Sequence, residues 1–149
     1  MGKAMAKRGH KTIEHPADMG VAGWGSTLEE AFEEVALAVF ELAADGLVGR
    51  IGTGSIEIEV HATDLVDLLI EYLNRLITES DIHRLTFTGI NVESIGKVRE
   101  GWELKAAVHG LPMDENIDML ENEVKAATYY GAKVENGDDG WYAQCVVDL

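Results

Sequence analysis

His15-Pro16-Ala17-Asp18-Met19-Gly20, followed at once by Gly23-Trp24-Gly25-Ser26-Thr27-Leu28-Glu29-Glu30-Ala31-Phe32, reads as three things in a row. A polar turn carries a carboxylate, a short glycine-rich strand follows, and a capped helix begins. Pro16 ends the strand that starts at Lys11, because proline cannot donate to a ladder. Ser26 and Thr27 each precede a glutamate by three residues, so either completes a capping box. Leu28, Ala31, Phe32, Val35, Val39 and Leu42 then recur at helical spacing, and the helix is expected to end near Ala44. At the far end the chain closes with Cys145-Val146-Val147-Asp148-Leu149. There the Asp148 carboxyl lies beside the main-chain terminus. If Asp18 meets this end, three carboxylates share a small space, the oxygen-rich arrangement that a hard divalent cation takes.

Between these ends the pattern alternates strand and helix, then turns to strands alone. Ile56, Ile58 and Val60 alternate with Glu57, Glu59 and His61, which predicts a half-buried strand. Thr63 is placed to cap a second helix whose inner face carries Leu65, Leu68, Leu69, Tyr72, Leu73 and Leu76. Phe87, Ile90 and Val92 anchor a strand, and Trp102, Leu104, Ala106 and Val108 alternate in the next. Val124–Glu135 and Trp141–Val147 predict a hairpin across Asn136-Gly137-Asp138-Asp139-Gly140. The last strand is apolar on both faces, which predicts a place inside a sheet. The expected fold is α+β: two helices packed on a mostly antiparallel sheet in a single compact domain.

The chain has 149 residues, enough for one domain with a substantial core. Met1–Gly9 carries Lys3, Lys7 and Arg8 but no apolar core region. It reads as a flexible tail before a domain spanning residues 10–149, and not as a secretory signal. No run approaches the roughly 20 apolar residues of a membrane span. The single cysteine, Cys145, has no internal disulfide partner and sits in an apolar strand pattern. A buried structural thiol in a reducing cytoplasm is expected. The formal net charge is −15. A chain this acidic lacks the Lys/Arg density that holds a nucleic-acid backbone. It suits docking on a basic protein, or plain solubility.

The residues alone leave several sites open. Asp18 is either a metal ligand or the acceptor of an Asx-turn. Lys125 shares a strand face with Tyr129, opposite Val124, Ala126 and Thr128, and reads as a solvated lysine or a contact. His15 is expected to orient Asp18 rather than to ligate, since hard cations prefer oxygen. His61, His83 and His109 are scattered, and no Cys/His spacing for zinc is present. Trp24 is expected in the core rather than as a stacking platform. Asp114, Glu115, Asp118, Glu121 and Glu123 form an acidic run without the register of a calcium-binding loop. Solvated loop and docking patch are both open. Gly52-Thr53-Gly54 is no phosphate loop, because no Gly-Lys-Ser/Thr follows. No nucleophile–base system is readable, so no enzyme activity is expected.

Three blocks resemble the archease family: His15-Pro16-Ala17-Asp18 with Trp24 to Phe32, then Glu123-Val124-Lys125-Ala126-Ala127-Thr128-Tyr129, then Val146-Val147-Asp148-Leu149. The resemblance runs from about His10 to the end. Pro16 stands where the family pattern has Thr, which stiffens the turn without touching the acid. The resemblance implies a small α+β protein that is a non-enzymatic cofactor of RtcB-type RNA ligases in tRNA splicing, promoting ligase guanylylation and turnover. It implies a divalent cation, Ca²⁺ ahead of Mg²⁺ or Mn²⁺, held by Asp18, Asp148 and Leu149. It also implies that Lys125 acts on the ligase and that tRNA is met only indirectly. The alternative attached to the family is a chaperone or modulator of tRNA-modifying enzymes such as a tRNA methyltransferase.

Overall fold

In chain order the elements are β1 (Gly9–Glu14), β2 (Met19–Gly25), α1 (Leu28–Ala43), β3 (Thr53–Ala62), α2 (Leu65–His83), β4 (Leu85–Val98), β5 (Gly101–Pro112), a 3₁₀ turn (Ile117–Met119), β6 (Ala126–Gly137) and β7 (Gly140–Asp148). This computed structural model describes residues 7–14 and 18–149. The expected α+β domain is present, and its strands are divided between two sheets. One has the order β1-β2-β7-β6, the other β3-β5-β4. Every pairing is antiparallel. As its two apolar faces predict, β7 is an interior strand, between β2 and β6.

Helix α1 starts where the side chains can satisfy its free amides. Thr27 is the N-cap, its Oγ1 accepting from the Glu30 amide at 3.1 Å. Glu30 reaches back to accept from the Ser26 amide at 2.9 Å. The capping box is therefore shared between both candidates. Phe32, Val35, Ala36, Ala38 and Val39 are all buried. A helix apolar on most of its circumference needs partners on several sides, and α1 packs on β1, β2 and β7 of one sheet and on β4 of the other. The backbones of β2 and α1 touch at Gly23. A Cβ there would lie 2.2 Å from the Val35 nitrogen.

Helix α2 is capped by Asp64 and not by Thr63: Asp64 Oδ1 accepts from the Asp67 amide at 2.9 Å. The Thr63 hydroxyl instead donates to Asp67 Oδ2 at 2.8 Å. Carboxylates and hydroxyls cap comparably, and here the next residue is the one at the helix boundary. The helix runs on past its last predicted core residue to His83. It ends at Arg84 in the left-handed region, φ 53°. Tyr72, fully buried, stacks on Phe32 at 5.5 Å and donates its hydroxyl to the Phe32 carbonyl at 2.9 Å. That contact fastens the two helices together.

Strand β6 departs from a regular hairpin. Thr128 pairs with Val146 and Lys133 with Gln144, so β6 carries three more residues than β7 across that interval. The bulge puts Gly131 over Val146 and lets Gln144 Nε2 donate to the Gly131 carbonyl at 2.9 Å. Val146 is thereby buried although it lies on the side of its sheet away from α1. Among the described residues no helix is long and apolar enough to cross a membrane.

Candidate functional site at one end of the four-stranded sheet

Three chain segments converge where β2 begins, β7 ends and β6 begins. Met19 pairs with Val147, so Asp18 and Asp148 are each one residue past the last paired position of β2 and β7. Asp148 in turn pairs with Ala126 on its other side. The Lys125 amide donates to the Asp148 carbonyl at 2.9 Å. Asp148 thus stands between the start of β2 and the start of β6, with Leu149 next in the chain. Val147 beneath is fully buried, which fastens the end of the chain into the sheet. Asp148, Lys125 and Leu149 are exposed, and Asp18 is half-buried.

Alternation gives this end its polarity. Val147, Cys145 and Ala143 face the core, so Asp148 faces the other way. Asp18, just before β2, sits at the same end of the sheet. Like charges at one sheet end repel, and a cation relieves the repulsion. The donors are all oxygens and solvent reaches them, which fits a hard divalent cation taking carboxylates, a carbonyl and waters. His15 lies outside the described residues.

The remaining sequence candidates fall as follows. Cys145 is buried, and desolvation pushes its thiol up to about 12, so it is an inert core thiol. Trp24 is half-buried with its ring against Gly9. Its indole nitrogen is buried without a partner. The acidic run is pinned at its base: the Asp45 amide donates to the Met119 carbonyl, and the Glu121 amide to the Ala43 carbonyl. Asp114 pairs with Arg84 at 2.9 Å, while Glu115, Asp118, Glu121 and Glu123 remain exposed. A cavity of about 280 Å³ lies under this loop, lined by Phe40, Ile77, Thr86, Leu120 and Val124 among others. Its Glu123–Val124 edge adjoins Lys125.

Two features escaped the sequence reading. The β6 bulge exposes Tyr129 and Tyr130. Asp67 at the start of α2, as a hydrogen-bond acceptor, pushes the Tyr129 hydroxyl above its usual range. Elsewhere His61 meets Glu59 and Glu103. The Glu59-Val60-His61 spacing, read as a strand, already puts two of these on one face; the third needs the β3–β5 register.

The fold defines a class: a small two-sheet α+β domain in which the start of β2 and the end of β7 meet at one sheet end. The model of the Archease protein family matches residues 10–149. The chain belongs to the archease family. It is 40% identical over 138 residues to the archease of Pyrococcus abyssi, covering 91% of this chain and 95% of that one. The solution structure of protein 1598 from Methanobacterium thermoautotrophicum superposes with a TM-score of 0.81 at 29% identity, covering 95% of this chain and 99% of that one. The crystal structure of an archease from Thermotoga maritima, described there as a possible chaperone, shares the fold with a TM-score of 0.57 at 22% identity. It covers 99% of this chain and 100% of that one.

Proposed function

We propose that this chain is a cytoplasmic, non-enzymatic activator of an RtcB-type RNA ligase in tRNA splicing. What supports the reading is that β2 begins, β7 ends and β6 begins at one sheet end of an archease-family chain, the end to which Asp18, Asp148 and Lys125 are nearest. All three lie in the blocks through which the sequence resembles that family. Asp18, Asp148 and Leu149 would hold a divalent cation, Ca²⁺ in preference to Mg²⁺ or Mn²⁺, because an irregular all-oxygen donor set suits the larger ion. When bound, the cation neutralises the clustered acids and stiffens the terminus. Lys125 then offers a positive group beside an acidic surface, either to the ligase or to the carboxylates. The net charge of −15 favours docking on a basic cleft and disfavours direct tRNA binding.

The test is guanylylation of the ligase's active-site histidine, measured with and without this protein. Stimulation is expected, and an unchanged rate overturns the reading. A second reading follows from the possible-chaperone description of the Thermotoga maritima structure. There the chain would keep tRNA-modifying enzymes such as a methyltransferase soluble. Suppression of methyltransferase aggregation, without any effect on the ligase, would favour it.

A further inference from the structure

On the outer face of the three-stranded sheet, Glu59 and His61 of β3 and Glu103 of β5 each offer a ligand atom, and those atoms all lie within 4.8 Å of one another. His61 pairs directly with Glu103 in the β3–β5 ladder, and Glu59 is two residues back on the same face. Beneath them Ile58, Val60 and Leu104 are buried, so the triad stands on a packed floor. His61 Nε2 is 2.8 Å from Glu103 Oε2 and 3.5 Å from Glu59 Oε2. The side chains are 55%, 52% and 27% exposed for His61, Glu59 and Glu103, open enough for an ion and its waters to enter.

We propose that Glu59, His61 and Glu103 bind a divalent transition metal of the Zn²⁺ class, at a site separate from the acidic end of the other sheet. An imidazole with two carboxylates is a borderline donor set that Ca²⁺ and Mg²⁺ do not favour and Zn²⁺ accepts. Metal–ligand lengths near 2.1 Å in tetrahedral geometry put donor atoms about 3.4 Å apart. The His61–Glu59 spacing already meets this. The His61–Glu103 spacing, 2.8 Å, reaches it by opening about 0.6 Å, a side-chain rotation at a partly exposed position. Three protein ligands leave a coordination position for water or for a group from a partner. Lys105, opposite Glu59 in the ladder, lowers the local negative charge and so moderates the affinity. Glu57, further along the same face, raises it.

The competing account of the same geometry is a hydrogen-bonded cluster of His61 with the two glutamates and no metal. Zn²⁺ titration of the full chain against a chromophoric chelator, with excess Ca²⁺ present, separates the two. One Zn²⁺ equivalent is expected. It should weaken by at least about 10–100-fold in His61→Ala and in Glu103→Gln, since losing a ligand costs no less than losing an outer-shell partner. Asp18→Asn/Asp148→Asn and His83→Ala should leave it unchanged. Co²⁺ in place of Zn²⁺ should give visible absorption that His61→Ala abolishes. Absence of Zn²⁺ binding in the parent protein overturns the proposal, as does full binding in a folded His61→Ala variant. All three positions are on strand faces directed to solvent, so circular dichroism is expected to report intact folds.

Discussion

At the scale of single residues, the least forgiving position is Gly23. The β2 backbone lies directly on α1, and an added Cβ would meet the Val35 nitrogen at 2.2 Å, the Glu34 carbonyl carbon at 2.7 Å and the Ala31 oxygen at 2.8 Å. These are main-chain atoms of a helix packed on both sheets, so no side-chain rotation relieves the clash. Gly23→Ala is expected to cost at least the upper end of ordinary overpacking, about 3 kcal/mol, read as a lowered urea midpoint with an unchanged slope. A midpoint within error of the parent would mean that α1 can slide. Asp148 and Leu149 are the opposite case, exposed beyond a buried Val147. Asp148→Ala should leave the fold intact and weaken Ca²⁺ binding in a calorimetric titration, whereas undiminished binding would remove Asp148 from the proposed ligand set.

At the scale of elements, β1 is fastened to α1 by charge. His10 Nδ1 lies 2.6 Å from Glu34 and its Nε2 lies 2.7 Å from Glu41, while Arg8 spans Glu33 and Glu34 at 2.7 and 2.6 Å. The hydrogen bond that His10 donates to Glu34 raises the imidazole above its usual range against the opposing effect of burial, and the one to Glu41 adds to it. Burial alone would push the Glu34 carboxyl up, but the hydrogen bonds from His10 and Arg8 outweigh it and hold the carboxyl low. The His10 contribution is therefore complete below about pH 6.5 and fades as pH rises through the raised value. The Glu34 contribution is complete above about pH 4.5 and fades as pH falls through the lowered one. Urea midpoints should drop from pH 6 to pH 8 in the parent protein and drop less in His10→Gln; parallel curves would contradict the linkage. Much at this scale was legible from local pattern. The start of α1 announces itself because capping residues and apolar spacing are neighbours in sequence. The interior place of β7 follows from its two apolar faces. The division into two sheets was not legible, because strand pairing joins residues far apart and alternation does not say which edges meet. The β6 bulge and the Glu59–His61–Glu103 grouping stayed hidden for the same reason. His61 reads as a scattered histidine until its register with Glu103 is known.

At the scale of the whole molecule, charge and topology act together. The net charge of −15 predicts weak or no tRNA binding by the isolated protein near physiological salt. A filter assay giving tight binding with a steep salt dependence would show that a local basic surface defeats the global charge. The topology brings the start of β2, the start of β6 and the end of β7 to one sheet end, although the first lies more than a hundred residues before the other two. On the proposed docking, a partner would meet all three at once, so removing Leu149 should matter more than its exposure suggests. Deleting Leu149 removes its backbone oxygen from the proposed ligand set. The most direct measurement is ligase guanylylation by the parent protein and by the Leu149 deletion, at matched folding verified by circular dichroism. The account predicts clear stimulation by the parent and strong loss of it in the deletion. Full stimulation by the deleted chain would contradict it, leaving the terminus as no more than the end of a strand.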